Sequence, residues 1–271
     1  MTAEAIGPTA ADDTSDKGTA AVRLASRTER RAWPLHRDDG GRLVGVYLAL
    51  TAVGIGVGLL LTRAFRDSAV TRTDRAVAEW FASNRTGTLN TLSAIGSQLS
   101  DTMIKIPVTV LVCVVMLVVW RRWLEPLVVA VPLIVEAAAF ITITFIVRRP
   151  RPDVPRLEGS PVDSSFPSGH TAAAVVYAAI VVVIFWHTRS RWIRVLAIAV
   201  VTLVSIAVGV SRMQRGMHFL SDVVFGALLG AATVLVVTAI LTRADRTTRG
   251  RAPAGRPEVT ASDHGQSTRG L

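Results

Sequence analysis

Three short segments of this sequence place histidine, arginine, serine and aspartate at spacings that suit phosphate chemistry. They read RRPRP at 148–152, PSGH at 167–170 and SRMQRGMHFLSD at 211–222. Arginine guanidinium groups bind phosphate oxygens in a fork geometry, and the free N–H groups at a helix N-terminus bind anions. The three segments together predict an anion site that can also transfer protons.

The proton chemistry rests on two histidines and one aspartate. Because His218 and Asp222 are four residues apart, we expect them to share a helix face, with the carboxylate holding one imidazole nitrogen. The other nitrogen is then directed outward as a nucleophile or base. His170 is placed to act as an acid. The expected anion-binding groups are two guanidiniums, a hydroxyl and a backbone N–H, from Arg151, Arg212, Ser168 and Gly169.

These segments are joined by apolar runs long enough to cross a bilayer. Half of the 271 residues are hydrophobic, 18% are charged and the mean hydropathy is +0.43, which argues against a soluble globular protein. Counting along the chain puts all three segments at the same side of the membrane. The predicted transmembrane helices are Leu43–Thr62, Met103–Trp120, Pro126–Val147, His170–Trp186, Val195–Val210 and Leu220–Leu241.

The polar ends flank this six-span domain. Residues 1–42 and 242–271 lack helical periodicity and are predicted to be disordered tails around a domain at 43–241. Six spans place both ends on one side, and a modest excess of Arg and Lys there predicts cytoplasmic termini. We therefore expect a multi-pass plasma-membrane protein whose polar segments face the exterior.

Two further patterns leave alternatives open. Asp74–Ser83, between spans one and two, predicts a short helix with Val77, Trp80 and Phe81 on one face, either at the outer interface or as a cap over the bundle. Gly226 and Gly230 in the last span have the spacing of a close helix contact, or arise by chance in a span rich in small residues.

The net charge of +10 raises nucleic acid as a partner, but basic residues in the flanks of spans indicate anionic lipid headgroups instead. The single cysteine, Cys113, excludes a disulfide within the chain and a cysteine-based zinc site. Since the outer loops show no metal-ligand spacing, we expect no metal and no cofactor. We expect membrane lipids as partners, and no nucleic acid.

The second and third segments resemble motifs of the type-2 phosphatidic acid phosphatase superfamily, which includes membrane lipid phosphatases and vanadium haloperoxidases. PSGH at 167–170 is similar to its second motif, and Ser211-Arg212 followed by His218 and Asp222 to its third. The first motif, K-x6-R-P, matches at Arg151-Pro152, but Thr144 stands at the lysine position. The resemblance covers 43–241 and implies an all-α six-helix membrane domain with metal-independent phosphate ester hydrolysis.

The resemblance also implies roles. His218 is similar to the nucleophile that forms a phosphohistidine, Asp222 to the residue that orients it, and His170 to the acid that protonates the leaving oxygen. The phosphate cradle implied by the resemblance is formed by Arg151, Arg212, Ser168 and the Gly169 N–H.

Three further charged residues need separate interpretation. Arg148 lies one helical turn after Thr144, so it is a candidate for the missing cation if the helix continues, or else it contacts headgroups. Lys105 lies near a span end, where it can snorkel. Glu136, in mid-span, is costly unless it is paired or protonated. One alternative pairs it with a basic residue of the site, but we expect it to be neutral, hydrogen-bonded within the bundle and outside the site.

The predicted activity is hydrolysis of a lipid phosphate at the outer leaflet: phosphatidic acid, phosphatidylglycerol phosphate, or a polyprenyl phosphate or diphosphate. One alternative is a lipid phosphotransferase, in which an alcohol replaces water. Another is a phospholipid transporter or binder without catalysis, although such a protein needs cations but not an acid paired with a nucleophile. A soluble haloperoxidase conflicts with the six spans.

Overall fold

The computed structural model describes residues 33–35, 37–160 and 162–250, and this part of the chain is helical without strands. Helix α1 continues into a single π-helical turn at Leu60–Ala64. The helices are α1 (Arg37–Leu59), α2 (Ala69–Ser83), α3 (Gly87–Gln98), α4 (Thr102–Trp120), α5 (Leu124–Val147), α6 (Gly169–Val176), α7 (Ala178–His187), α8 (Arg191–Gln214) and α9 (Leu220–Gly250).

Six helical stretches within the described residues are long and apolar enough to span a membrane, so the predicted all-α six-span fold is confirmed. Helices α6 and α7 together make the fourth stretch. Large apolar side chains such as Leu111, Phe145 and Leu235 are 63–70% exposed. In a bilayer these faces meet lipid, and the helices pair their backbone groups internally. The chain is a multi-pass membrane protein.

The buried core forms two clusters along the bundle. One, near the chain ends, includes Val128, Val183 and Val237, and all three are fully buried. The other packs Ile143 and Val147 near the end of α5 against Phe166 of the following loop and Leu229 of α9. This second cluster fixes the loop that carries the middle motif.

Both glycines of the last span make close helix contacts. An added Cβ would lie 2.5 Å from the Ser168 carbonyl oxygen at Gly226, and 2.4 Å from that of Ala172 at Gly230. Backbone atoms cannot move aside as a flexible side chain can, so the spacing reflects packing of α6 against α9 and not chance.

The predicted tail boundaries are wrong. Helix α1 begins at Arg37, so residues 37–42 are helical, and α9 continues through Gly250, so 242–250 are helical as well. Residues 1–32 and 251–271 lie outside the described residues. Both ends of the bundle's chain meet on one side, because the Thr248 hydroxyl donates to the Pro34 carbonyl at 3.3 Å.

The segment between spans one and two forms two helices, α2 and α3. Helix α2 starts earlier than predicted and buries Thr71, Asp74 and Ala78, while Trp80 is 60% exposed. It therefore caps the bundle with one face and directs Trp80 outward with the other. Helix α3 is unpredicted. It packs closely on α8, because an added Cβ at Gly96 would lie 2.2 Å from the Ser211 hydroxyl.

Candidate active site

A cavity of about 170 Å³ lies at the end of the bundle opposite the chain ends. The loop after α5, the start of α6 and the turn between α8 and α9 meet there, which brings the three motifs together as predicted by span counting. Its ionisable lining residues are Lys105, Glu136, Arg151, His170, Arg212 and His218, and Gly169 contributes backbone.

The imidazole of His218 is fixed by a backbone carbonyl. Its Nδ1 lies 2.6 Å from the Ser165 carbonyl oxygen. Because a carbonyl only accepts hydrogen bonds, Nδ1 carries the proton and Nε2 keeps a free lone pair. Burial, with the nearby charges of Arg212 and Arg151, holds the pKa of His218 well below its usual value. The ring is therefore neutral near pH 7, with an unprotonated Nε2.

Asp222 does not hold His218, contrary to our prediction. His218 precedes α9, so the rule for neighbours on a helix face does not apply to the pair. The Asp222 carboxylate instead accepts from the Phe219 N–H at 2.8 Å, as a cap of the helix, and from Arg149 Nη1 at 2.5 Å. Within the described residues, Asp222 therefore has no direct hydrogen bond to His218.

Arg149 forms the centre of a buried ion network that the sequence analysis missed. Besides Asp222, its guanidinium donates to Asp74 of α2 at 2.8 Å. The Asp74 carboxylate also accepts from the backbone N–H of Ser221 at 2.9 Å and from its hydroxyl at 2.5 Å. Arg149 and Asp74 are 3% and 2% exposed. The sequence carried one signal of this network, because Asp74 lies on the inner face of the amphipathic helix α2.

The two predicted phosphate-binding arginines both line the cavity. Arg151 donates to the Met217 carbonyl at 2.5 Å and to the Ser160 hydroxyl at 2.8 Å. Arg212 donates to the Ser97 hydroxyl of α3 at 2.6 Å. Among the described residues, the buried Nε of neither arginine has a hydrogen-bond partner. These guanidiniums are held in place with donor capacity left over.

A loop carboxylate lies on one of these arginines. Glu158 accepts a very short hydrogen bond from Arg212 Nη1, and one of 2.5 Å from Arg215 Nε. Burial raises the pKa of the Glu158 carboxyl, but the charges of Arg212 and Arg215 more than offset this and the pKa lies below its usual value. Glu158 is therefore an anion bound where a phosphate oxygen would compete for Arg212.

The PSGH segment divides between the cavity and the core. Gly169 and His170 line the cavity, and the Ser100 hydroxyl donates to the His170 carbonyl at 2.7 Å. Ser168, predicted to bind phosphate, is fully buried, with its hydroxyl 2.9 Å from that of Thr171. In this conformation the Ser168 hydroxyl bonds its own helix and is not on the cavity wall.

Arg148 does not replace the missing lysine. Helix α5 ends at Val147, and Arg148 follows in a left-handed conformation with φ of 49°. Its Nε donates to the Phe145 carbonyl at 3.0 Å, and its guanidinium lies over the Phe145 ring on the exposed surface. The predicted shared face with Thr144 required the helix to continue. Glu136, predicted to be hydrogen-bonded outside the site, lines the cavity instead.

The comparisons with known proteins agree with this geometry. The profile of the PAP2 superfamily matches residues 125–246. A bacitracin transport permease protein, BcrC of Bacillus licheniformis, is 36% identical over 87 residues, which are 32% of this chain and 38% of that one.

The fold of this chain is similar to that of a protein with a known crystal structure. That protein is a transmembrane PAP2-type phosphatidylglycerolphosphate phosphatase from Bacillus subtilis. The match has a TM-score of 0.63 and 23% identity, over 71% of this chain and 96% of that one. All three motifs lie inside the matched segment, so residues 125–246 form a domain of the PAP2 superfamily.

Proposed function

We propose that this protein hydrolyses the phosphate ester of a membrane lipid at the outer leaflet, through a phosphohistidine on His218 and without a metal ion. The observation that carries the proposal is the hydrogen bond from His218 Nδ1 to the Ser165 carbonyl. It leaves Nε2 free, in a cavity that also holds Arg151, Arg212 and His170. A nucleophile, an anion cradle and an acid are the parts that phosphoryl transfer needs.

In the first step, His218 Nε2 attacks phosphorus. The N–P bond forms, the bond between phosphorus and the lipid oxygen breaks, and protonated His170 gives its proton to that oxygen. The guanidiniums of Arg151 and Arg212 bind the equatorial oxygens, where charge is spread in the transition state. Binding of the phosphate displaces the Glu158 carboxylate from Arg212.

In the second step, His170 is neutral and takes a proton from water. The water oxygen attacks phosphorus, the N–P bond breaks, and inorganic phosphate leaves with both histidines restored. Asp222 supports the reaction by holding Arg149 and the start of α9 in place, so it acts as a positioning residue.

The position of the cavity supports a membrane lipid as the substrate. Its entrance is at the end of a membrane-spanning bundle, so a headgroup phosphate reaches it while the acyl or prenyl chains stay in the bilayer. We propose phosphatidic acid, phosphatidylglycerol phosphate, or a polyprenyl phosphate or diphosphate as substrate. The phosphatase of similar fold is named for phosphatidylglycerolphosphate, the second of these. We place the protein in the plasma membrane with cytoplasmic termini.

The test compares two histidine variants on two substrates. We expect His218→Ala to abolish turnover and the phosphoenzyme on both a lipid phosphate and p-nitrophenyl phosphate. We expect His170→Ala to lose much more activity on the lipid, since nitrophenolate leaves without a proton whereas an alkoxide does not. His187→Ala, at the other end of the bundle, is the control. Turnover retained by His218→Ala, or equal losses on both substrates in His170→Ala, contradicts the assignment.

Two additions extend the assay. We expect full activity in excess chelator, because arginines carry the charge that metal ions carry in other phosphoryl-transfer enzymes. Activity lost in chelator and restored by magnesium contradicts this. An added alcohol tests the phosphotransferase alternative, since a transferase forms a new phosphate ester in place of inorganic phosphate.

A further inference from the structure

The cradle lacks one cation at the position where the family's first motif carries lysine. Thr144 stands there, buried to 3% exposure, and its hydroxyl donates to the Phe166 carbonyl at 3.4 Å. Arg148, the nearest candidate in sequence, lies on the outer surface. Either the site works with two guanidiniums or another part of the chain supplies the third charge.

A cation from a different span lines the cavity. Lys105, in the first turn of α4, is half-buried there beside both histidines and both arginines. Its neighbours Met103 and Ile106 are 83% and 54% exposed and face outward, whereas Thr109, one turn on, is buried. Lys105 therefore belongs to the inward face of α4 and not to the lipid-facing surface.

The residues at the start of α4 are hydrogen-bonded to the segment that carries His170. Asp101 caps the helix, accepting from the Met103 N–H at 2.8 Å. The preceding residue, Ser100, donates to the His170 carbonyl at 2.7 Å. These contacts set the position of Lys105 relative to His170, so the lysine is not simply a mobile side chain at a span end.

The amine of Lys105 has capacity to bind an anion. Within the described residues it has no hydrogen bond or ion pair, although its charge acts on His170 and Glu136. Glu136 is 1% exposed, lines the same cavity and has a carboxylate oxygen, Oε1, without a partner there. A buried carboxylate in a span is costly unless a cation compensates it, and Lys105 is the lysine on this wall.

We propose that Lys105 is the third cation of the phosphate cradle, supplying from α4 the charge that the family's first motif supplies from α5. This rests on the proposed function, because it assumes that a phosphate occupies the cavity. One position loses its lysine, and another span provides a cation to the same cavity.

Two substitutions of Lys105 distinguish the effect of its charge from the effect of its side-chain shape. We expect Lys105→Met to weaken vanadate inhibition by about 10- to 100-fold, the loss expected for a hydrogen bond to a charged group, and to raise KM for the lipid. We expect Lys105→Arg to stay close to wild type. In the Lys105→Met background, Thr144→Lys should recover part of the vanadate affinity. The control is Lys17→Met, because Lys17 is the chain's other lysine.

Reductive methylation with formaldehyde measures how accessible the amine of Lys105 is in the wild-type protein. The result therefore does not depend on the stability of any variant. We expect vanadate to slow methylation of Lys105 while Lys17, the internal reference, reacts at an unchanged rate. Protection of Lys105 by phosphatidylglycerol vesicles alone would assign the lysine to headgroup contact and overturn the proposal. So would unchanged methylation under saturating vanadate, or a folded Lys105→Met protein with wild-type vanadate inhibition.

The two proposals fail in different ways. If wild-type protein hydrolyses no lipid phosphate and His218→Ala changes nothing, the proposed function is wrong. If wild-type protein is active and inhibited by vanadate, but Lys105 is neither protected nor needed for inhibition, only the role of Lys105 is wrong.

Discussion

The Nδ1 atom of His218 donates to the main-chain carbonyl of Ser165 at 2.6 Å, and no aspartate of the described residues is hydrogen-bonded to the ring. Ser165 is itself held at both its N–H and its hydroxyl, by the carbonyls of Arg149 and Pro150 at 2.8 and 3.0 Å. The loop that carries the first motif therefore orients His218 of the third motif through backbone atoms.

The first prediction concerns the charge of His218. Burial and two arginines lower its pKa, so the ring stays neutral as the pH falls through 6.5, the ordinary histidine value. We expect ¹⁵N spectra of histidine-labelled protein to show a His218 signal with Nδ1 protonated and Nε2 bare that does not titrate near that pH. Comparison with His218→Ala assigns the signal. A midpoint at or above pH 6.5 contradicts this.

The same shift links stability to pH. Below pH 6.5 the unfolded chain binds a proton at this histidine and the native protein does not. His218 therefore lowers the free energy of unfolding as the pH falls below 6.5. His218→Gln should show a shallower loss of thermal stability over that range.

The second prediction concerns the network around Arg149. Asp222→Asn removes one of two buried carboxylates bound to its guanidinium, so we expect a loss of about 3 kcal/mol in stability, as for a broken buried ion pair. Thermal unfolding in detergent measures it, with the exposed Asp153→Asn as control. In the double variant with Arg149→Met, the losses should be less than additive. An unchanged unfolding temperature with an altered His218 signal would restore the direct role of Asp222.

The third prediction concerns Glu158, which occupies Arg212 when no phosphate is bound. Glu158→Gln removes a competing anion, so we expect vanadate and lipid phosphate to bind more tightly, by about tenfold for loss of a charge-assisted contact. Inhibition curves at constant ionic strength measure the change. Glu79→Gln, on the exposed face of α2, is the control because it alters net charge equally. Weaker vanadate binding in Glu158→Gln would mean that the carboxylate positions Arg212 for the substrate.

The fourth prediction concerns the contact between α6 and α9. Gly226→Ala places a methyl group against the Ser168 carbonyl, and overpacking of this kind costs about 1–3 kcal/mol. We expect a lower unfolding temperature and reduced activity, since Ser168 lies two residues before His170, the proposed acid. The control is Gly56→Ala on α1, where nothing lies within 4 Å of the added carbon. There the better helix propensity of alanine should leave stability equal or higher.

The fifth prediction concerns sidedness. In a Cys113→Ala background, a cysteine at the exposed position Asp163 should react with an impermeant maleimide in intact cells if, as we propose, the site loop faces outward. A cysteine replacing Arg246, near the opposite end, should react only after lysis. The reverse pattern would place the active site in the cytoplasm.

The features that the sequence predicted correctly depend on local pattern. Hydropathy is a property of each segment alone, so the six spans were predictable, and spans alternate direction, so the three motifs met at one end. Helix α3 was not predictable because GTLNTLSAIGSQ lacks a strong apolar stripe. Its importance lies in Ser97, whose contact with Arg212 joins residues 115 positions apart in the chain.

The errors in the site arose where a helix is shorter than expected, at its end in α5 and at its start in α9. Arg148 was aligned with Thr144, and His218 with Asp222, on the assumption of continuous helix. Helix α5 stops at Val147, and α9 starts only at Leu220. Lys105 was assigned to the interface because only tertiary packing reveals which side of α4 faces the cavity.

Helix α2 lies at the end of the bundle where the three motifs meet. Trp80 on this helix faces outward, and Asp74 forms an ion pair with Arg149. The exposed face of α2 and the loop of the first motif are therefore connected through one carboxylate. A tilt of α2 would displace Asp74, and through it Arg149 and the start of α9. Lipid packing around α2 would then change the geometry of the cavity, independently of the concentration of substrate in the bilayer.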